Sequence, residues 1–143
     1  MNDYDKFLEG KKKHHVKSGF KIEQSDLNQN LFPFQKYIVQ KALEAGRYAV
    51  FADCGMGKTL MQLSWANEVV KKTRQPILIL APLAVVGQTI QEGKKFGIKV
   101  WKWEGTPQLR NNSEDHFYPR IYITNYEQLG NISDEDLECF SGV

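Results

Sequence analysis

Nowhere in the 143-residue sequence is there an apolar run near the roughly 20 residues of a membrane-spanning helix. The amino-terminal Met-Asn-Asp-Tyr-Asp-Lys also lacks the apolar stretch of a secretory signal, so the expectation is a soluble, cytoplasmic protein with no membrane partner. Cysteine is scarce. Cys54 and Cys139 make neither a disulfide framework nor a C-x-x-C metal pair, and both are expected as free thiols. Histidine is scarce too: His14 and His15 stand beside Lys11, Lys12 and Lys13 with no third ligand at metal spacing, which favours a solvated basic patch over a metal site.

Apolar residues are not lacking. A hydrophobic share of 41% in a chain of this length allows one domain with a real core. The net charge of +2 hides an asymmetry. Residues 31–110 carry 12 Lys and Arg against 5 Asp and Glu, whereas the last 33 residues carry 1 basic and 7 acidic side chains. A basic centre suits polyanionic ligands, although solvated helix surface accounts for part of the excess.

Residues 1–30 are polar, with Tyr4, Phe7 and Leu8 as isolated apolar points, and read as an extension with a short helix. The domain proper is expected over 31–143. Pro33 at a first helical position, Phe34, Tyr37, Ile38, Ala42 and Leu43 at helical spacing, and Gly46 as a cap define a first helix. Tyr48 to Ala52 reads as the first strand, and Gly57 to about Lys72 as a helix with Leu60, Leu63, Ala66 and Val70 along one face, widened by Met61 and Trp65. Ile77 to Ala81 is a continuous aliphatic run, as in a strand buried on both faces of a parallel sheet. A helix over Leu83 to Lys95 closed by Gly97, a strand over Ile98 to Trp103, a loop over 104–119, a strand over Ile121 to Thr124 and a short helix near Tyr126 to Leu129 complete the pattern. Strands alternating with helices predict an α/β fold, a doubly wound parallel sheet flanked by helices, with ligands at the carboxyl ends of the strands. Ala81-Pro82 and Thr124-Asn125 would share that edge.

Ala52-Asp53-Cys54-Gly55-Met56-Gly57-Lys58-Thr59 is the most informative stretch. Lying between an apolar run and a helix, it nearly fits the phosphate-binding P-loop, G-x-x-x-x-G-K-[ST], with alanine where the first glycine is usual. Ala52 suits that place if its φ is negative, Gly55 and Gly57 then supplying the tight turning. The chemistry implied is nucleoside triphosphate binding: loop amides and the Lys58 ammonium against phosphate oxygens, and the Thr59 hydroxyl on Mg²⁺. The plainer alternative is a glycine-rich turn beside an ordinary surface lysine.

Four blocks in order resemble the first RecA-like domain of superfamily 2 helicases, most closely Swi/Snf-type and phage-like DEAD/DEAH proteins. The octet, taken from Asp53 to Thr59 as the nucleotide cradle, resembles motif I. Leu31-Phe32-Pro33-Phe34-Gln35 is similar to the segment ahead of motif I whose glutamine recognises adenine, and Gln35 lies 17 residues before Ala52. Ile79-Leu80-Ala81-Pro82-Leu83 with Val85-Val86-Gly87-Gln88-Thr89 resembles motif Ia, and Ile123-Thr124-Asn125-Tyr126-Glu127-Gln128-Leu129 a following I-T-N-Y-E block. The resemblance covers about two thirds of the chain and implies an α/β P-loop ATPase domain using ATP and Mg²⁺, with Lys58 and Thr59 catalytic. It further implies a nucleic-acid partner, DNA ahead of RNA, held through Pro82, Gln88, Thr124 and Asn125, and a second RecA-like domain in the parent protein.

The D-E-x-x box that holds Mg²⁺ and positions water in such enzymes has no match. Asp134-Glu135-Asp136 is the sole candidate and reads instead as a surface helix start capped by Ser133. In similar proteins the box follows on a strand that would begin about where Ser141-Gly142-Val143 stands. The expectation is therefore part of a longer DNA helicase or translocase, one that binds adenine nucleotide weakly and turns it over slowly or not at all. The alternatives are a non-helicase P-loop enzyme, such as a small-molecule kinase, and a non-enzymatic nucleic-acid-binding module.

Overall fold

The computed structural model describes residues 4–5, 7, 17–104 and 120–143. Helix α1 (Pro33–Ala45) opens on proline, whose missing N–H costs nothing in a first turn, and ends where Gly46 takes a φ of 80° and donates its N–H to the Ala42 carbonyl. Helix α2 (Lys58–Thr73) buries Leu60, Met61, Leu63, Ala66 and Val70, the face expected from their spacing. Lys71 and Lys72 sit in its last turn, where the helix dipole favours positive charge.

Three parallel strands follow: β1 (Ile77–Ala81), β2 (Val100–Lys102) and β3 (Ile121–Asn125), in the order β1-β3-β2. Helix α3 (Leu83–Lys95) connects β1 to β2. The register aligns Ile77 with Ile121 and Ala81 with Asn125, so the carboxyl ends of the two longer strands are level, as the sequence pattern implied. Period-two alternation divides the core. Ile77, Ile79, Ala81, Ile121 and Ile123 pack with residues of α1, α2 and α3 on one face. Leu78 and Tyr122 pack with Trp103, Ile132 and Phe140 on the other, where the rings of Trp103, Tyr122 and Phe140 meet edge to face at 5.5 to 6.2 Å. Helices thus flank a parallel sheet, the α/β architecture expected.

Gly93 shows how tightly α3 lies on the sheet. A Cβ there would come to 2.5 Å from the Ile98 carbonyl oxygen and 2.9 Å from Val100 Cγ2. Gly93→Leu should therefore cost about 1–3 kcal/mol by overpacking, seen as a lower urea midpoint.

Three expectations change. Tyr48 to Ala52 forms no strand: Tyr48 and Val50 are exposed and Phe51 is 97% exposed. A strand exists only when a neighbour takes its N–H and C=O groups, and here a cavity of about 1200 Å³ lies between this segment and β1. Strand β2 is shorter than the Ile98 to Trp103 run, although the Trp103 N–H still donates to the Ile123 carbonyl at 2.9 Å. Asp136, read as surface, is 1% exposed in the short helix α4 (Asp134–Leu137). Its carboxylate accepts from Ser133 Oγ at 2.7 Å, and its N–H donates back to that oxygen at 3.2 Å.

The short helix after β3 is a 3₁₀ segment, Tyr126–Asn131. Among residues 1–30, Tyr4, Asp5 and Phe7 are helical; the rest of that short helix and the loop over 105–119 lie outside the described residues.

Candidate functional site

The octet is built by the start of α2. Gly57 caps the helix with a φ of 73°, Gly55 has a φ of 78°, and Ala52 lies outside the left-handed region, the condition that lets alanine stand there. Gly57 is constrained twice, because a Cβ on it would also run into Gln35 Nε2. A Cβ on Gly55 would meet nothing within 4 Å, so that glycine serves the backbone turn alone.

Lys58 extends back over the loop. Its ammonium donates to the carbonyl of Ala52 at 2.8 Å and of Asp53 at 2.9 Å, which places a full positive charge across the loop while leaving it exposed to solvent. Thr59, half-buried, stands next in the first turn of the helix. The N–H groups of Gly55 and Gly57 have no partner among the described residues, and those of Lys58 and Thr59 are first-turn donors with no intrahelical acceptor. Two other loop amides are engaged. Cys54 N–H donates to Asp53 Oδ1 at 2.7 Å, and Met56 N–H to the Asp53 carbonyl at 3.4 Å.

Gln35 is joined to this loop. It is 4% exposed; its Oε1 accepts from the Phe32 N–H at the start of α1, and its Nε2 donates to the Met56 carbonyl, each at 2.9 Å. An amide side chain has two N–H donors and room for two bonds at its oxygen, so one donor and one acceptor position remain. No sequence signal announced the Gln35–Met56 bond, since at helical spacing a glutamine reads as surface.

Pro82, which follows the end of β1, and Gln88, in the second turn of α3, are both exposed, Gln88 Nε2 donating to Glu92 at 3.1 Å. Thr124 and Asn125 are buried, and Asn125 Oδ1 accepts from the Gln128 N–H at 3.0 Å, capping the 3₁₀ segment. The Asn125 side chain serves the turn, while Tyr126, 60% exposed, reaches the surface beside it.

Residues 28–142, which include this loop, the helix behind it and the parallel sheet, match the model of a known family, the type III restriction enzyme res subunit. The chain belongs to that family. No curated protein matches it. The res-subunit family is one of amino-terminal RecA-like domains of superfamily 2 helicases, P-loop proteins that generally use ATP and Mg²⁺ and act on nucleic acid. At that level the chain is a helicase-like, ATP-dependent domain of an enzyme superfamily. The residues present fit the ligand: a glycine-bent loop with free amides, one ammonium and one hydroxyl at a helix start match a triphosphate and its cation. Among the described residues no group of three acidic, histidine or cysteine side chains could hold a metal by itself, and no helix is long and apolar enough to cross a membrane.

Proposed function

We propose that this res-subunit domain is the ATP-binding part of a DNA helicase or translocase, in which hydrolysis drives movement along the nucleic acid. The observation that carries the proposal is Lys58 lying across a loop bent by left-handed Gly55 and Gly57 at the start of α2. Phosphoryl transfer needs mainly positioning and charge stabilisation. Lys58 and the amides of Gly55 to Thr59 would bind the β- and γ-phosphates, Thr59 would hold Mg²⁺, and that cation would neutralise charge between the two phosphates. Asp53 to Met56 would wrap the same groups. Contacts from the Lys58 ammonium and from the Cys54 and Met56 amides have to displace internal ones, since these groups already have partners, and this supports weak binding by the chain alone.

Gln35 supports adenine as the base. Its remaining donor and acceptor match adenine N7 and N6, while guanine presents an acceptor where adenine has its amino group. Pro82 and Gln88, with the turn capped by Asn125 after Thr124, are the proposed contacts to a DNA backbone; the level ends of β1 and β3 support them as one surface.

Isothermal titration with Mg²⁺ and either ATP or GTP tests this. ATP should bind at one site and about tenfold or more tighter than GTP, a margin of about 1.4 kcal/mol that two hydrogen bonds can supply. Gln35→Ala should narrow the gap chiefly by weakening ATP. Absence of saturable heat with either nucleotide would remove the proposal, and equal binding of both would remove Gln35 from base recognition.

A further inference from the structure

The amino ends of the strands carry a cluster that neither the nucleotide loop nor the strand-end contacts use. Val100 of β2 pairs with Ile121 of β3 and Trp101 with Tyr122, so Lys99 and Arg120 stand side by side at the starts of neighbouring strands. Period-two alternation puts both on the same face of the sheet as Trp101. The contacts agree: the Arg120 guanidinium lies over the Trp101 ring, 4.7 Å from its centroid, and the Lys99 ammonium lies 5.2 Å from the same centroid. Trp101 is 38% exposed, although Tyr122 beside it in the next strand is buried.

The ion pairs among the described residues, Lys41–Glu44 and Lys71–Glu68, include neither cation. Sharing one ring, the two charges are no farther apart than about 10 Å, close to the Debye length of about 8 Å at physiological salt, so their repulsion is only partly screened. Like charges opposite each other on paired strands disfavour the sheet, and the attraction of an exposed ring offsets only part of this. An anion between them removes the conflict. A guanidinium held over a ring keeps its in-plane N–H donors for that anion, and their fork fits two oxygens of a phosphate. Lys94 and Lys95, exposed in the last turn of α3, add positive charge at the same end of the sheet, because α3 runs back from the carboxyl end of β1 to the amino end of β2.

We propose that Lys99 and Arg120, braced by Trp101, clamp a backbone phosphate of DNA, a second nucleic-acid contact on the amino side of the sheet. The contacts proposed at Pro82, Gln88 and Asn125 belong to the other side, as does the nucleotide. The inference takes DNA as the partner from the reading above but needs neither ATP nor those strand-end contacts. A polyanion fits better than a free phosphate, since the flanking lysines carry the positive field beyond the reach of one ion. Contact to the backbone alone makes the clamp indifferent to base sequence.

Fluorescence anisotropy of a labelled duplex of about 20 base pairs, titrated from about 50 to 200 mM salt without nucleotide, tests the clamp. Lys99→Gln with Arg120→Gln should weaken binding about tenfold or more at the low-salt end and make the salt slope shallower by about 1, the value for one phosphate contact. Lys17→Gln with Lys21→Gln removes the same charge from exposed positions elsewhere and should change affinity by less than about twofold. Trp101→Ala leaves both charges but removes their brace, so affinity should fall about two- to fivefold with the slope unchanged. Thermal melts of each variant check the fold. Equal losses from the two double variants would reduce the effect to overall charge and overturn the inference, as would an unchanged slope for Lys99→Gln with Arg120→Gln. Competition by inorganic phosphate as strong as by unlabelled duplex at equal phosphate concentration would assign the cluster to a free ion. Self-association of the wild type that the same double variant abolishes would assign it to an acidic surface of a second copy. Either result overturns the proposal, and so does failure of the wild type to bind the duplex.

Discussion

Lys58→Ala should weaken Mg²⁺-ATP binding by about ten- to a hundred-fold, corresponding to about 1.5–3 kcal/mol for hydrogen bonds to a charged group. The ammonium already lies 2.8 and 2.9 Å from two loop carbonyls, so little side-chain freedom has to be lost when phosphate replaces them. The same substitution should leave the fold nearly unchanged. What it removes from the free protein is two bonds on an exposed side chain, and surface changes of that kind stay within about 0.5 kcal/mol. Lys58→Arg separates charge from shape: a planar, bulkier fork keeps the charge but cannot point a single donor between two phosphates, so it should recover only part of the affinity. Titration calorimetry beside thermal melts reads both effects. Equal affinity in the wild type and Lys58→Ala would take Lys58 out of the site, and the loop would then be an ordinary glycine turn.

The parts of this fold that depend on local spacing could be read from residue order alone. Ile77 to Ala81 and Ile121 to Thr124 are so uniformly apolar that few structures other than buried strands accommodate them, and α1 and α3 carry their own stop signals in Gly46 and Gly97. What escaped was set by partners far along the chain. Whether Tyr48 to Ala52 is a strand depends on having a neighbour, not on its own residues, and β1 lies across the cavity from it. Asp136 looked like any acidic residue in a polar patch until Ser133 and the fold around it supplied its burial. In the candidate site, the glycines and Lys58 carried a signal because the P-loop is a contiguous motif. The attachment of Gln35 to Met56 carried none, since a separation of 21 residues has no periodicity to betray it.

That attachment connects the two halves of the proposed site. The Gln35 amide touches the carbonyl of a residue between Gly55 and Gly57, so a base drawing on the same amide would pull on the loop proposed to hold the phosphates. Gly57 permits the arrangement by having no Cβ. The base recognition proposed for Gln35 would thus be joined to loop shape through one side chain, and Gln35→Ala should alter both.

Leu63→Ala is expected to cost about 2–5 kcal/mol of folding stability, the range for removing a fully enclosed leucine side chain and leaving a cavity behind. Leu63 is 0% exposed on α2, and its Cδ1 lies 3.6 Å from where a Cβ on Gly93 would be, so it fills the contact between α2 and the glycine face of α3. Collapse cannot easily close the gap, because α3 already lies as near the Ile98–Val100 segment as a glycine allows. Alanine's better helix propensity returns only a few tenths of a kcal/mol. Against a typical total of about 5–15 kcal/mol the loss is large, and the melting temperature should fall by about 10 °C or more. Guanidinium titration should show a lower midpoint with an unchanged slope. Leu63→Met, which conserves volume, should cost less than about 1.5 kcal/mol, and Gln62→Ala on the exposed side of the same helix within about 0.5 kcal/mol. A loss below about 1 kcal/mol for Leu63→Ala would mean that α2 does not pack on α3 through this residue, and because α2 begins at Lys58, the orientation of the P-loop would have to be sought in other contacts.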